Sequence, residues 1–237
     1  MTNAILSVEN VQAGYGRVQV LWGASFAVEA HQTVVLLGMN GAGKTTLIKT
    51  ILGLVPLSAG SIAFNGTDIS HLRTDRRVRA GIAYMSEIGC FPGLTVDENI
   101  RIGGQFMPKD RLSARVAELY EAFPAIAERK NALASSLSGG QRKMVGIAKA
   151  LAGNPMLLVM DEPSAGLSPL FVKEVIEILG RFKRAGLTLL IAEQNVKFLE
   201  LADQVVTVAG GRVNFTGTVD QLHADDTLQK AFFDLKR

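Results

Sequence analysis

A chain of 237 residues, 48% of them hydrophobic, can bury a sizeable core and suits one large domain, or a core with a subdomain, better than two independent ones. Its mean hydropathy is positive at +0.22, yet its longest apolar runs, such as Leu187 to Ala192, fall far short of the roughly 20 residues that a bilayer span needs. A net charge of +3, from 25 basic and 22 acidic residues, is too mild to imply a nucleic-acid partner, and the single cysteine, Cys90, allows no internal disulfide or thiolate metal site, as suits a reducing compartment.

The opening Met1-Thr2-Asn3-Ala4 lacks the basic and apolar regions of a signal peptide, so the chain is expected to remain in the cytoplasm. After Tyr15-Gly16, Val18 to Leu21 reads as a strand. Val34-Val35-Leu36-Leu37 reads as a buried strand, followed by a glycine-rich turn and then by the helical spacing of Leu47, Ile48, Ile51 and Leu52. Strand-like runs recur at Ile62 to Phe64, closing on the turn pair Asn65-Gly66, and at Ile82 to Met85, Leu157 to Met160, Leu187 to Ala192 and Val205 to Val208. Strands interleaved with helices predict a largely parallel sheet covered on both faces.

The basic cluster Arg73, Arg76, Arg77 and Arg79 reads as a solvated helix face, with contact to an acidic partner surface as the second reading. From Thr95 to Ala152 the signals are helical only. Thr95 with Glu98 makes a capping box, and Ser138 is placed to cap another helix start. A later helix is expected to begin at Ser168-Pro169, with serine as N-cap, and to stop at Gly186. There is no repeat or long linker, so the helical stretch is a subdomain of one fold.

Three motifs carry chemistry. Gly38-Met39-Asn40-Gly41-Ala42-Gly43-Lys44-Thr45 matches G-x-x-x-x-G-K-[ST] between a strand and a helix, the context that supports a P-loop. Its glycines let backbone N–H groups close round phosphate oxygens, Lys44 reaches the β/γ-phosphates, and the Thr45 hydroxyl suits Mg²⁺. Leu157 to Met160 is an apolar run ending in Asp161-Glu162, the Walker B pattern; Asp161 would hold Mg²⁺ and Glu162 would polarise the attacking water. Leu137-Ser138-Gly139-Gly140-Gln141 offers a hydroxyl and glycine amides at a helix start, a second anion site.

That third motif resembles the signature of ABC ATPases, and in this order the three identify the chain as similar to that family over nearly its whole length. The resemblance implies an α/β P-loop NTPase (RecA-like) fold: a mixed, mostly parallel sheet core, an N-terminal antiparallel β layer and an inserted α-helical subdomain. The nucleotide core would comprise 1–87 and 154–237, and the Q-loop and helical signature subdomain 88–153. It further implies ATP and Mg²⁺ as cofactors. ATP would be bound by Tyr15 (stacked on adenine), Gly38, Asn40, Gly41, Ala42, Gly43, Lys44, Thr45 and Thr46, and by Ser138, Gly139, Gly140 and Gln141 of the signature. Mg²⁺ would be held by Thr45, Asp161 and Glu87, with Glu162, Gln194 and Glu87 as catalytic groups.

Departures from the family pattern lie around the γ-phosphate. Glu87 stands where the family has its Q-loop glutamine, Gln194 where it has a switch histidine, and Ser168 replaces the usual aspartate of the D-loop, Ser164 to Ser168. Glutamate and glutamine at the first two positions, with Tyr84-Met85-Ser86-Glu87 and Glu193-Gln194-Asn195, resemble the smaller ATPase subunit of importers for branched-chain and other hydrophobic amino acids; Ile88-Gly89-Cys90 lacks that group's glycine-arginine run. The implied assembly is a second ATPase subunit, homologous or identical, two integral-membrane permease subunits and, indirectly, a solute-binding protein, with no nucleic acid. The chain would lie peripherally on the cytoplasmic face of a prokaryotic inner membrane. Urea or short amides are the alternative solutes. Glu87 to Thr95, with Phe91 and Pro92, would receive a cytoplasmic helix of the permease, and Cys90 would offer a crosslinking thiol there. Two other readings are a soluble ABC ATPase of DNA repair or translation, against which stands the lack of a coiled-coil insertion between Lys44 and Ser138, and a regulatory module that binds ATP without turnover, against which stand Lys44, Asp161 and Glu162.

Overall fold

A computed structural model describes residues 4–233; Met1 to Asn3, on which the signal-peptide reading partly rests, lie outside the described residues. The elements in chain order are β1 (Ala4–Tyr15), β2 (Val18–Glu29), β3 (Thr33–Leu37), α1 (Lys44–Ile51), β4 (Leu57–Phe64), β5 (Thr67–Asp68), α2 (Thr74–Arg79), β6 (Ile82–Met85), α3 (Val96–Gly103), α4 (Lys109–Ala122), α5 (Pro124–Ala127), α6 (Gly139–Leu151), β7 (Leu157–Asp161), α7 (Pro169–Arg184), β8 (Thr188–Glu193), β9 (Gln204–Ala209), β10 (Arg212–Gly217), α8 (Val219–Ala224) and α9 (Asp226–Phe232).

Two sheets form. β10-β9-β3-β8-β7-β6 is parallel except for β10, which returns antiparallel on β9. β2-β1-β4-β5 is wholly antiparallel. The run Ile62 to Phe64, counted above among the interleaved strands, belongs to this second sheet. The cause is the turn after it, where Asn65 and Gly66 both have positive φ (48° and 73°) and fold β4 back on β5, the conformation that a type I′ hairpin requires.

The parallel strands are apolar without alternation because both their faces are covered. In β7, Leu157 and Val159 pack toward α1 and the antiparallel layer, while Leu158 and Met160 pack toward α6 and α7. Helix α1 is thereby sandwiched between the sheets through Leu47, Ile48 and Ile51. Between β6 and β7 the chain is helical, as the sequence predicts, with one isolated bridge, Thr95 to Leu133, among the described residues. The Thr95–Glu98 capping box forms, and Ser138 caps α6, in a second capping box with Gln141. Ser168 holds the N-cap position of α7 and Pro169 follows it, but the serine hydroxyl makes no capping bond. The helix ends at Arg184, and Gly186 turns away with φ 94°.

The basic cluster divides. Arg73 pairs with Asp75 at 3.0 Å, Arg79 lies 4.0 Å over the Phe106 ring and Arg76 is exposed, but Arg77 is buried. Its guanidinium donates to the carbonyls of Ile51 (2.6 Å), Leu72 (2.9 Å), Thr50 and Ser70 (both 3.0 Å). Two of these are terminal carbonyls of α1, where a fixed cation also meets the negative end of the helix dipole. Spacing places all four arginines on one short helix and cannot tell which of them turns inward. Arg77→Leu is expected to cost roughly 2–4 kcal/mol, since four carbonyls lose one shared donor, and Arg76→Ala less than about 0.5 kcal/mol; denaturant midpoints of the two variants check this.

Candidate functional site

The loop from Gly38 to Gly43 leaves β3 and enters α1, and three of its glycines are required by geometry. Gly41 and Gly43 take φ of 79° and 107°, and a side chain on Gly38 would meet the Val208 carbonyl at 2.5 Å. Gly43 is also the N-cap of α1, with no side-chain cap, so the first-turn amides have no internal acceptor from a cap side chain. The loop opens on a cleft of about 500 Å³ lined by Asn40, Gly41, Ala42, Gly43, Lys44, Thr45 and Thr46 on one side. Asp161, Glu162, Tyr84, Ser86, Glu87 and Ile88 line the other side.

Lys44 is buried, and its ammonium donates to the carbonyls of Gly38 (2.8 Å) and Met39 (3.2 Å) and lies 3.5 Å from Glu162 Oε1. Thr45 Oγ1 donates to Asp161 Oδ1 at 3.0 Å. Thus the cleft joins the two motifs across 116 residues of sequence. Burial pushes the Asp161 carboxyl above its ordinary range, and the Thr45 hydrogen bond opposes that shift. The Tyr84 phenol is raised as well, first by burial and then by the Asp161 charge beside it. Glu162 holds a left-handed backbone, φ 47°, rare for a non-glycine residue, with its N–H donating to the Ala192 carbonyl at 2.9 Å.

Hard oxygen donors of this kind, one hydroxyl and a buried carboxylate with Glu87 on the cleft wall, fit Mg²⁺, which is commonly held by one or two carboxylates together with substrate phosphates. Among the described residues no three His, Cys, Asp or Glu side chains gather into a dedicated cage.

Other candidate residues lie elsewhere. Ser138, Gly139, Gly140 and Gln141 do not line the cleft; Ser138 Oγ accepts from the Gln141 N–H at 3.2 Å while Gln141 Oε1 accepts from the Ser138 N–H at 3.1 Å, at the exposed start of α6. Tyr15 is half exposed at the β1–β2 hairpin, beside rather than in the cleft wall, where Val20 of β2 stands. Gln194 is exposed just past β8, its N–H donating to Glu193 Oε2 at 3.1 Å. Cys90, expected as an accessible thiol, is 5% exposed and packs in the core, and burial raises its pKa. The neighbouring Ile88 and Phe91 are the exposed groups, at 76% and 49%.

Three residues given no role in the sequence reading anchor the site or the loop beside it. Glu193 is 0% exposed, and its carboxylate accepts from the Ser164 N–H (2.7 Å) and hydroxyl (2.9 Å) and from the N–H groups of Gln194 and Asn195. Burial raises its pKa and those four bonds oppose the rise. The signal for it was present: like Asp161, it is an acid ending an apolar strand. The amide of buried Asn99 ties down the 91–95 loop, accepting from the Phe91 N–H at 2.7 Å and donating to the Phe91 and Thr95 carbonyls. Lys143 reaches from α6 to the carbonyls of Glu87 (2.7 Å) and Glu162 (3.1 Å).

The sequence profile of the ABC transporter family matches residues 21–165. BraG of Pseudomonas aeruginosa, a high-affinity branched-chain amino acid transport ATP-binding protein, is 35% identical over 96% of this chain and 99% of its own length. LptB of Haemophilus influenzae, a lipopolysaccharide export system ATP-binding protein, is 36% identical over 97% of each chain. Among solved structures, the ADP conformation of MJ1267, an ATP-binding cassette of an ABC transporter, superposes with a TM-score of 0.85 at 25% identity, covering 97% of this chain and 98% of that one.

Lys44 is a buried cation seated on the loop's own carbonyls at the cleft wall, so Lys44→Ala is expected to weaken nucleotide binding by about 1.5–3 kcal/mol, the worth of a charge-assisted bond. Titration of a fluorescent nucleoside triphosphate against both proteins reads the difference.

Proposed function

The chain belongs to the ABC transporter ATP-binding family and is an ATPase, and from that premise we propose that it is the motor subunit of an importer for branched-chain or other hydrophobic amino acids. The observation that carries the mechanical part is the division of the site within one chain. Lys44, Thr45, Asp161 and Glu162 meet in one cleft, while Ser138 to Gln141 form a separate exposed helix start. One chain therefore has two half-sites, and two chains face to face would join each cleft to the other's Ser138 hydroxyl and glycine amides, a donor set suited to a γ-phosphate.

In that reading Asn40 to Thr46 cradle the phosphates, Tyr15 stacks on adenine beside Val20, and Lys44 offsets phosphate charge. Thr45 and Asp161, with Glu87, would hold Mg²⁺, which supplies charge neutralisation on the phosphate oxygens. Glu162 orients and deprotonates the attacking water. Its left-handed backbone is held at the N–H by the Ala192 carbonyl and at the carbonyl by Lys143, and its carboxylate lies 3.5 Å from the Lys44 ammonium. Gln194 donates one hydrogen bond to the γ-phosphate from the end of β8, and the helical segment 88–153 moves as a subdomain when the two chains close.

Import of hydrophobic amino acids rests on the relation to BraG and on the pair Glu87 and Gln194. The relation to LptB favours a second reading, an exporter motor on a different membrane partner. Both readings place the chain peripherally on a permease; no helix among the described residues is long and apolar enough to cross a membrane. Phosphate release by the chain reconstituted with its permease in vesicles separates the two. Stimulation by a binding protein loaded with leucine supports the importer; stimulation by lipopolysaccharide alone overturns it.

Two further outcomes are expected. In the assembled transporter, Gln194→Ala lowers kcat by about tenfold with a smaller change in ATP affinity, and Gln194→His retains activity and adds a pH dependence near the imidazole pKa of about 6.5. Equal rates for alanine and glutamine at every pH would remove Gln194 from the site. For the docking surface, Ile88→Cys in a Cys90→Ala background crosslinks to the permease, because Ile88 is exposed where Cys90 is not; mass spectrometry of the adduct reads the contact.

A further inference from the structure

Helix α6 grips both loops that carry acidic groups of its own cleft. Lys143 lies one turn inside the helix, 7% exposed, and spends two of its three N–H donors on the carbonyls of Glu87 and Glu162. One turn further, Gly146 meets the same turn of chain: a methyl on it would stand 2.7 Å from the Gly89 Cα, so only glycine permits the approach. The Glu162 peptide is thus held from opposite sides, its N–H by the Ala192 carbonyl of β8 and its own carbonyl by Lys143. Burial lowers the pKa of Lys143, and the carboxylates of Glu87, Glu193, Glu162 and Asp161 around it oppose that shift and favour the charged ammonium.

A lysine whose task was only to fill the interior would be an expensive choice, since burying a cation carries a desolvation cost that an apolar side chain of like length avoids. The bonding of Lys143 has a direction: its acceptors are the peptide carbonyls of Glu87 and Glu162, two of the three acidic residues that line the cleft. We propose that Lys143 is a positioning residue that ties the seat of α6 to the orientation of Glu162 and Glu87 in the same chain. A displacement of α6, whose first turn carries Ser138, is then transmitted to the water-polarising carboxylate of its own cleft. The inference rests on the reading of Glu162 as that carboxylate.

Steady-state ATPase rates and ATP affinities of the assembled transporter carrying Lys143→Met, Lys143→Arg or Glu162→Gln test it, with melting temperatures measured alongside. Lys143→Met is expected to lower kcat by about tenfold to a hundredfold, the range for a misplaced catalytic group, while KM and ATP affinity stay within about threefold. Its melting temperature is expected to fall by a few degrees at most, since only two carbonyls lose a donor. Lys143→Arg is expected to recover most of kcat, because a guanidinium presents two parallel donors to two carbonyls. A kcat for Lys143→Met within about twofold of the parent, with Glu162→Gln inactive, overturns the proposal; so does a loss that Lys143→Arg fails to relieve, or one that appears equally in KM and melting temperature. If Lys143→Met does not fold, Lys143→Gln is read on the same terms, and failure of both marks the residue as structural and overturns the proposal too. Undiminished turnover by Glu162→Gln strikes instead at the underlying reading of the cleft, whatever Lys143 does.

Discussion

The hydrogen bond from Thr45 to Asp161 is the contact on which the site depends, and it exists because β3, β8 and β7 are neighbours in that order. Parallel strands of one sheet end on the same edge, where amides and side chains of the following loops converge. The P-loop leaves β3, Asp161 and Glu162 leave β7, and Glu193 and Gln194 leave β8 between them. These three segments are far apart in sequence. Long-range pairing places them, and pairing register aligns them: Leu37 stands opposite Glu193, and Ala192 opposite Asp161.

Such a meeting concentrates charge where water is scarce. Asp161 and Glu193 are both buried, and each would tend to take up a proton without donors to hold it ionised. The fold supplies those donors locally: the Thr45 hydroxyl for Asp161, and the Ser164 hydroxyl with three backbone N–H groups for Glu193. Lys44 and Lys143 approach from opposite sides, one from the P-loop and one from α6. Nucleotide chemistry adds further negative charge to this cluster, and both lysines that face it are anchored on backbone carbonyls. The same bonds carry a mechanical consequence, since any element that moves a lysine also moves what it holds.

The helical stretch is attached to the sheet by packing rather than by pairing. Met144, Ile147 and Leu151 of α6 share one core with Leu158, Met160 and α7, and Asn99 fastens the 91–95 loop to α3. That helical segment carries the exposed Ser138, Ile88 and Phe91. Arg77 serves the other flank, closing the end of α1 so that the helix behind the P-loop keeps its place between the sheets.

Local patterns sufficed for much of this protein. The apolar runs, the P-loop between strand and helix, the acids ending a strand and the helix caps at Thr95 and Ser138 are each decided by residues within a few positions of one another, and so are written in the chain. So was the membership of the family, because its three motifs occur in one order. What local pattern could not decide was direction and depth. Ile62 to Phe64 looks like the other strands, yet a left-handed Asn65-Gly66 sends it into the antiparallel sheet. Arg77 looks like its basic neighbours, Cys90 like a residue of an exposed loop, and Lys143 like one more charge on a helix. Their burial depends on which segments lie across from them, and those partners come from as far as 56 residues away for Lys143 and Glu87. Sequence periodicity reports which face of an element is apolar; only the packed structure reports which polar side chain on that face has found its acceptors.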